Sequence, residues 1–311
     1  MADNTQTVPA TRKSSKIGRF LTSKKVVPYI FVLPFFLSFS VLTLYPAING
    51  IIMSFRQILP GVVENVGFEN YSRVFNLNFY DALWNTVIYV FWTTILLTIA
   101  PMLLAIFLNS ETIKLKSIFR ASLFIPALTS TIVGGMIFRL MFSESSTAIG
   151  NQLISLIGLG PLEWRYSAAT AMFLMVVLAF WRWTGVNLLY YLAALQNISE
   201  SLYEQADIDG ASAWDKLRLI TIPHLKPITV FVSTITIING FRMFEESFVY
   251  WEATSPGNIG LTIVGYIYQQ GVGQNDLGFG AAIGVVLMII IFIISSIYLG
   301  LTGTFGKGNG K

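Results

Sequence analysis

Six long apolar segments constrain this chain more than any other feature of its sequence. A helix needs about 20 mostly apolar residues to cross the hydrocarbon core of a bilayer. Segments near residues 27–53, 83–108, 118–142, 168–195, 228–250 and 278–303 meet that requirement. Only 12% of the 311 residues are charged, whereas soluble domains carry about 25%. The sequence therefore predicts an all-α integral membrane protein with six transmembrane helices.

The positions of the basic residues predict how these helices are oriented, because loops rich in lysine and arginine remain in the cytoplasm. Of the 20 Lys and Arg residues, 14 lie in the N-terminal tail, the connection at 109–120, the segment that follows the fourth span, or the C-terminal tail. Four lie toward the opposite side, and Arg182 and Arg242 lie within predicted spans. We therefore expect both termini in the cytoplasm, in agreement with an even number of spans.

The chain divides into three regions by composition. Residues 1–25 are polar and basic, and we expect a disordered cytoplasmic tail there that contacts anionic lipid headgroups. Residues 26–305 form the six-helix domain, with a polar cytoplasmic loop at 199–227, and residues 306–311 form a short cytoplasmic tail. The basic residues cluster at loop ends and in the tails, so the expected partner is the lipid bilayer and no nucleic acid.

The polar loop carries local signals for two short helices joined by a sharp turn. Ser201 and Glu204 have the spacing of a capping box, which satisfies the free amides of a first helical turn. Asp209 and Gly210 form a turn dipeptide, and Ser212 is placed to cap a second helix. A loop of this length in a compact membrane protein usually has a function.

Two prolines and several apolar side chains complete the expected structure of this loop. Pro223 and Pro227 are expected to stop or bend the chain before the fifth span. Apolar side chains within the loop provide a surface for a protein partner: they are Leu202, Tyr203, Ala206, Ile208 and Trp214. The pattern indicates a short amphipathic helix pair that docks into a groove on a soluble protein.

The same loop resembles the EAA signature of ATP-binding-cassette (ABC) importer permeases. That signature reads E-A-A, three residues, G, nine residues and I-x-L-P, and this chain has 204-EQA-206, Gly210 and 220-ITIP-223 at the same spacing. Gln205 and Ile222 are conservative departures. The resemblance implies that the loop is the coupling helix that sits in a cleft of the ATPase subunit. The matching positions are Tyr203, Glu204, Gln205, Ala206, Asp209, Gly210, Ala211, Ile220 and Pro223.

The resemblance covers about residues 26–305 and is strongest to the sugar-importing branch, of the maltose and multiple-sugar type. It includes 28-PYIFVLPFFLSFSVLTLYPAINGIIMSF-55 and 120-RASLFIPALTSTIVGGMIFRLMF-142. The segments 239-NGFRMFEESFV-249 and 255-SPGNIGLTIVGYIYQQG-271 are similar to arabinose-oligosaccharide permeases of Gram-positive bacteria. The resemblance implies the type I ABC importer permease fold in a bacterial cell membrane. It also implies a second homologous permease subunit, two ATPase subunits and an extracytoplasmic sugar-binding protein.

The chain carries no sequence signal for chemistry of its own. No G-x-x-x-x-G-K-[ST] motif occurs in it, and 306-GKGNGK-311 lacks the preceding strand and the closing Ser or Thr of a phosphate-binding loop. There is no cysteine and a single histidine, so Cys- or multi-His-ligated metal sites are excluded. We expect no catalytic residues, no cofactor and no metal in this chain, and ATP hydrolysis in a partner chain.

Polar residues within the predicted spans are the candidates for a substrate pathway. A charge at the centre of a span costs about 2.5–3.5 kcal/mol on insertion scales, so such residues face the protein interior or water. Sugars present an apolar C–H face that packs on aromatic rings and hydroxyl groups that pair with polar side chains. The resemblance places Trp183, Asn239 and Arg242 on the substrate-lining faces of two spans. The full set is Arg182, Trp183, Asn187, Asn239, Arg242, Glu245 and Glu246.

Several alternatives remain open from the sequence. Arg242 has the spacing of an intrahelical ion pair with Glu245 or Glu246, which would only stabilise the helix bundle. Arg182 and Trp183 have a second interpretation as contacts to the partner permease. The cargo has an alternative in a phosphorylated polyol such as glycerol 3-phosphate. A secondary carrier driven by an ion gradient is the alternative from another class, but it would need inverted repeats and midplane carboxylates.

Overall fold

The computed structural model describes residues 23–110, 113–252 and 254–303. The described residues form two compact units, which are divided between Ile52 and Met53. Most of the predicted N-terminal tail and the whole of the predicted C-terminal tail lie outside the described residues, so these two expectations stay predictions.

Helix α1, Val27–Ser54, is the one long helix among the described residues of the first unit. It has 28 residues, which at 1.5 Å per residue gives a length of about 42 Å, enough to cross a hydrocarbon core of about 30 Å. A single π turn at Ser40–Leu44 interrupts it without ending it. None of its residues is acidic or basic, in agreement with the first predicted span.

A small β-hairpin follows α1, an element that the sequence does not predict. Strands β1, Arg56–Leu59, and β2, Val62–Asn65, pair antiparallel around a turn in which Gly61 has a φ of 80°. Helix α2, Glu69–Val74, closes the hairpin at its base, because the buried Asn70 amide donates hydrogen bonds to the carbonyls of Ser54 and Arg56.

Four further helices are long and apolar enough to cross a membrane. They are α3 (Leu77–Asn109), α7 (Ala168–Leu195), α9 (Ala213–Phe241) and α12 (Leu277–Leu301). The third predicted span is instead a broken pair, α4 (Lys116–Leu128) and α5 (Thr131–Met141), bent by 97°. With this pair as one span, the described residues contain the six spans that the sequence predicts.

The break between α4 and α5 has a local cause. Thr129 and Ser130 have extended backbone conformations, with ψ values of 134° and 139°. Pro126 in the last turn of α4 has no amide hydrogen to continue the helical ladder. The hydropathy of the sequence does not reveal the bend, because the residues on both sides of it are mostly apolar.

The fifth span differs from its prediction at both ends. Pro223 and Pro227 neither stop nor sharply bend the chain, because α9 runs from Ala213 to Phe241 with a π turn at Leu217–Thr221 that accommodates the missing proline amide. At the other end, α9 stops nine residues before the predicted limit of 250. Arg242 therefore lies outside the helix.

Shorter elements connect these spans. They are α6 (Ile149–Ser155), α8 (Glu200–Ile208), α10 (Glu245–Trp251), a 3-10 turn (Pro256–Asn258) and α11 (Ile263–Tyr268), which continues into a π turn (Gln269–Gly273). The loop at 199–222 thus contains α8, a turn and the beginning of α9, close to the predicted pair of helices.

The second unit packs around α7. Helices α3, α4 and α9 all lie against it, and the backbone of α4 comes so near that a Cβ atom on Gly185 would lie 2.0 Å from the Leu123 carbonyl oxygen. Only glycine permits that approach. Buried apolar side chains form two clusters, one that includes Leu174 and Phe241 and a second that includes Leu188 and Leu225.

Candidate functional site: an intramembrane cavity

A cavity of about 770 Å³ lies between the two apolar clusters. On α7, the first cluster ends at Ala179 and the second begins at Leu188. The cavity is lined by residues of α7 from Ala179 to Tyr190, by the middle of α3 and by the last part of α9, from Ile235 to Gly240. The chain from Arg242 to Glu246, between α9 and α10, completes the wall. The cavity therefore lies beside the middle of α3 and α7, at the point where α9 ends.

All seven residues that the sequence predicts for a substrate pathway line this one cavity. They are Arg182, Trp183, Asn187, Asn239, Arg242, Glu245 and Glu246. The sequence did not single out further polar or aromatic members of the wall, which are Tyr89, Thr93, Thr131, Thr236 and Phe244. Tyr89 and Thr93 lie four residues apart and so share one face of α3. The sequence does not indicate that this face lines a cavity, because a single Tyr and a single Thr are common in apolar helices.

An ion pair crosses one wall of the cavity. Arg182 Nη1 on α7 lies 3.2 Å from Glu246 Oε1 on α10, and the two side chains are only 11% and 12% exposed. The guanidinium carbon of Arg182 also lies 5.1 Å from the centroid of the Trp183 ring, within the range of a cation–π contact. Within the part of the chain that the structure describes, Nε of Arg182 is buried and has no hydrogen-bond partner.

The alternative intrahelical pair of Arg242 with Glu245 or Glu246 is not formed. Arg242 follows the last residue of α9, whereas Glu245 begins the separate helix α10, so the spacing of three and four residues no longer places these side chains on one helical face. Glu246 instead faces Arg182, which lies 64 positions earlier in the sequence.

Three polar side chains of the wall remain available to a solute. Asn239, Arg242 and Glu245 are exposed, and among the described residues none of their side chains makes a hydrogen bond or ion pair. Asn187 differs, because it is buried and its amide donates to the Leu97 carbonyl at 2.9 Å. Asn187 therefore ties α7 to α3, while the other three present free polar groups.

Aromatic rings stand next to these polar groups. Trp183 and Tyr190 on α7 are each more than a third exposed, and the edge of the Tyr190 ring packs against Phe231 at 5.4 Å. Phe244 is held by Phe248 and Tyr268, with ring centroids 5.1 and 5.3 Å away. Fixed aromatic faces beside unpaired amide, guanidinium and carboxylate groups suit a ligand that has both an apolar face and many hydroxyls.

The predicted coupling segment has the turn that its sequence indicates. Gly210 has a φ of 75°, a left-handed conformation that favours glycine. Ser212 caps α9 in a capping box, in which its hydroxyl accepts from the Asp215 amide at 3.2 Å and its own amide donates to the Asp215 carboxylate at 3.0 Å. The capping box predicted for Ser201 and Glu204 is wrong, because α8 already begins at Glu200 and has no side-chain cap.

Two contacts fold this segment back on itself and leave its apolar side chains outside. The hydroxyls of Tyr203 and Thr221 lie 2.9 Å apart, and Lys216 Nζ lies 2.5 Å from Asp207 Oδ1. Ile208 is 86% exposed at the end of α8. The remaining predicted coupling residues occupy this segment as expected: Glu204, Gln205 and Ala206 on α8, Asp209, Gly210 and Ala211 at the turn, and Ile220 and Pro223 on α9.

The chain belongs to a family of membrane transport proteins. Residues 71–302 match the family described as the binding-protein-dependent transport system inner membrane component. The chain is therefore a membrane-bound subunit of a transport system and not an enzyme, as its EAA-like segment implied.

Named relatives extend this similarity over nearly the whole chain. It is 60% identical over 299 residues to the arabinooligosaccharides transport system permease protein AraP of Halalkalibacterium halodurans, covering 96% of this chain and 95% of the relative. It is 56% identical over 303 residues to AraP of Bacillus subtilis, covering 97% and 96%. The lactose transport system permease protein LacF of Rhizobium radiobacter is 32% identical over 291 residues, covering 92% and 96%.

Solved structures agree with the fold. A chain of a bacterial ABC transporter that imports the acidic polysaccharide alginate superimposes with a TM-score of 0.80 at 21% identity, covering 94% of this chain and all of that chain. A chain from the alginate transporter in complex with its pentasaccharide-bound periplasmic protein gives 0.79 at 22% identity, covering 93% and 99%. The predicted type I ABC importer permease fold is confirmed.

The Arg182–Glu246 pair leads to a prediction about stability. Removing one partner of a buried ion pair leaves an uncompensated charge and costs about 3–5 kcal/mol, whereas removing both costs much less. We expect Arg182→Gln to lower the free energy of unfolding by that amount and Arg182→Gln/Glu246→Gln to recover most of it. Thermal unfolding of the purified transporter in detergent measures both.

The matched control is the more exposed pair of Arg139 with Glu252, which are 31% and 67% exposed. Because exposed pairs contribute about 0–1 kcal/mol, Arg139→Gln should change the unfolding temperature little. Equal losses at the two sites, or no recovery in the double variant, would contradict the assignment of Arg182–Glu246 as a buried, mutually compensating pair.

Proposed function

We propose that this chain is the transmembrane permease subunit of an ATP-driven importer for arabinose-containing oligosaccharides, and that it forms half of the translocation pathway. The observation that carries the proposal is the cavity, which gathers exposed aromatic rings and unpaired polar groups beside the middle of α3 and α7. The names of the two AraP relatives support the class of sugar.

The size and charge of the cavity support an uncharged solute. Its volume of about 770 Å³ lies in the range of small-molecule sites, about 300–1,000 Å³. Two arginines and two glutamates line it, namely Arg182, Arg242, Glu245 and Glu246, so their formal charges cancel. Arg182 is already paired with Glu246. This balance favours a neutral sugar over a phosphorylated polyol, for which an unbalanced positive site would be expected.

The orientation that we propose places the segment at 199–227 and both termini in the cytoplasm. It is supported by the excess of lysine and arginine in that segment, the 109–120 connection and the tails. In this orientation the N-terminal end of α7 faces the outside, where an extracytoplasmic sugar-binding protein would deliver the solute.

The coupling segment is the proposed contact to the ATPase. It presents the exposed Ile208 and Trp214 beside the glycine turn, and α9 continues from it without interruption to the cavity. Two ATPase subunits and a second homologous permease would complete the transporter. Closure of the ATPase dimer on ATP would move α8 and the start of α9 as a rigid body, and this movement would switch the side to which the cavity opens.

The turn at Gly210 provides a test of coupling. A side chain there meets no atom within 4 Å, so substitutions differ only in how they tolerate a φ of 75°. Left-handed conformations cost ordinary residues about 1–2 kcal/mol, a factor of roughly 5–30 in an equilibrium, and asparagine is among the most tolerant. We expect Gly210→Val to reduce ATPase association and uptake several-fold and Gly210→Asn to retain both.

Co-purification of the ATPase and ATP-dependent sugar uptake measure the two effects in the same membranes. Normal coupling in the valine variant, at an equal amount of folded protein, would show that the turn does not position the ATPase contact.

The unpaired polar groups provide a test of the pathway. Each hydrogen bond from the sugar to Asn239 or Arg242 would contribute about 0.5–1.5 kcal/mol, more for the charged group. We therefore expect Asn239→Ala and Arg242→Ala each to lower uptake several-fold at sub-saturating sugar while the amount of assembled transporter is unchanged. The control is Thr234→Ala on the same helix, because the Thr234 hydroxyl bonds to the Val230 carbonyl within α9 and lies outside the cavity wall.

Uptake and assembly are compared for the three variants in membranes with identical binding protein. A loss of assembly together with uptake in the Asn239 and Arg242 variants would favour a purely structural role for these side chains.

A further inference from the structure

The short helix α6 has an exposed face that is rich in apolar side chains. Ile149, Leu153, Leu156 and Ile157 follow at intervals of four, three and one residues, so they lie on one side of the helix and its final turn. All four are exposed, and Leu156 and Ile157 are 80% and 73% accessible. Leu159, in the following loop, is exposed as well. The described residues of this chain leave this face uncovered.

The opposite side of α6 is fixed to the protein. The buried Asn151 amide donates to the carbonyls of Ser143 and Ser145, and its oxygen accepts from the Leu162 amide at 3.0 Å and from Trp164 Nε1 at 2.8 Å. With four hydrogen bonds on one side chain, the helix has a single orientation. Its apolar face points outward because the hydrogen bonds of Asn151 hold the opposite side of the helix against the protein.

The partners of Asn151 also fix the depth of α6. They lie within four residues of the end of α5 at Met141 or within six of the start of α7 at Ala168. Helix α7 has 28 residues and a length of about 42 Å, longer than a hydrocarbon core of about 30 Å. Its first turn therefore lies at a membrane surface, on the side opposite the coupling segment, and α6 lies beside it.

The composition around α6 matches the boundary between headgroups and acyl chains. Residues 145–162 contain no Asp, Glu, Lys or Arg, so the face has no charged rim of the kind that surrounds contact surfaces with soluble proteins. The flanking residues are polar or amphipathic: Glu144 and Arg165 form a bidentate pair at 2.7 and 2.9 Å, and Tyr166 is exposed. Tyrosines are enriched at membrane interfaces.

We propose that α6 is an interfacial helix whose apolar face, Ile149, Leu153, Leu156 and Ile157, is buried in the lipid leaflet opposite the coupling segment. It lies in the plane of the membrane and anchors the connection between α5 and α7 at the surface. The molecules that cover this face are lipids, at the depth where their headgroups meet their acyl chains. The proposal does not depend on the identity of the transported solute.

Because the chain contains no cysteine, each single-cysteine variant has one labelling site in this chain, and the transporter without the introduced cysteine gives the background of the other subunits. The complete transporter, carrying Leu156→Cys, Ile157→Cys or the control Ser155→Cys, is labelled with bimane and placed in nanodiscs of phosphatidylethanolamine and phosphatidylglycerol. Ser155 belongs to the same helix, is exposed and lies away from the apolar face. Quenching is measured with a lipid that carries a nitroxide near the top of its acyl chain, and separately with aqueous iodide.

We expect the lipid nitroxide to quench the labels at positions 156 and 157 several-fold more than the label at 155, and iodide to show the reverse order. Equal access of iodide to all three positions would overturn the proposal, because the face would then lie in water. Protection from both quenchers would overturn it as well, because the face would then be covered by a protein subunit. Lipid quenching that disappears when the binding protein is added would have the same consequence.

Discussion

The ion pair between Arg182 and Glu246 is the interaction on which the cavity depends. It joins the middle of α7 to the first turn of α10, across the point where α9 has ended. A charge at this depth is expensive unless it is paired. Each of the two residues therefore compensates the charge of the other within the membrane. Because Glu246 pairs with Arg182, the side chains of Asn239, Arg242 and Glu245 remain unpaired at the cavity. The break after Phe241 is what brings Glu246 within reach of Arg182.

The span positions and the polar members of the cavity wall were predictable from the sequence. Apolar length identifies each span regardless of its partners, and a charged or aromatic residue such as Arg182 or Trp183 within a span is conspicuous. The break at Thr129 and Ser130, the hairpin at 56–65 and the end of α9 at Phe241 were not predicted, because each depends on backbone conformations that hydropathy does not register. The pairing of Glu246 with Arg182 was not predictable either, because spacing along the sequence indicates Arg242 as its partner and the observed contact depends on the tertiary fold.

Helix α9 connects the two regions that the sequence singled out separately. It begins at Ala213, directly after the Gly210 turn, and its other end reaches the cavity at Asn239. Pro223 and Pro227 are accommodated without a sharp bend, so a movement at the coupling segment has a continuous helical route to the cavity wall. The π turn at Leu217–Thr221 is the irregularity that permits this continuity. In the proposed mechanism, energy from a partner ATPase therefore reaches the pathway through a helix of this chain.

Uptake of arabino-oligosaccharides into proteoliposomes tests the central claim most directly. The vesicles contain this chain and its proposed partners, namely a second permease, the ATPase subunits and a sugar-binding protein, and matched vesicles omit only the ATPase. The account predicts uptake that requires both ATP and the ATPase subunits, because this chain supplies a pathway and no energy source. Equal uptake in the vesicles without the ATPase would contradict it and would favour an ion-coupled carrier.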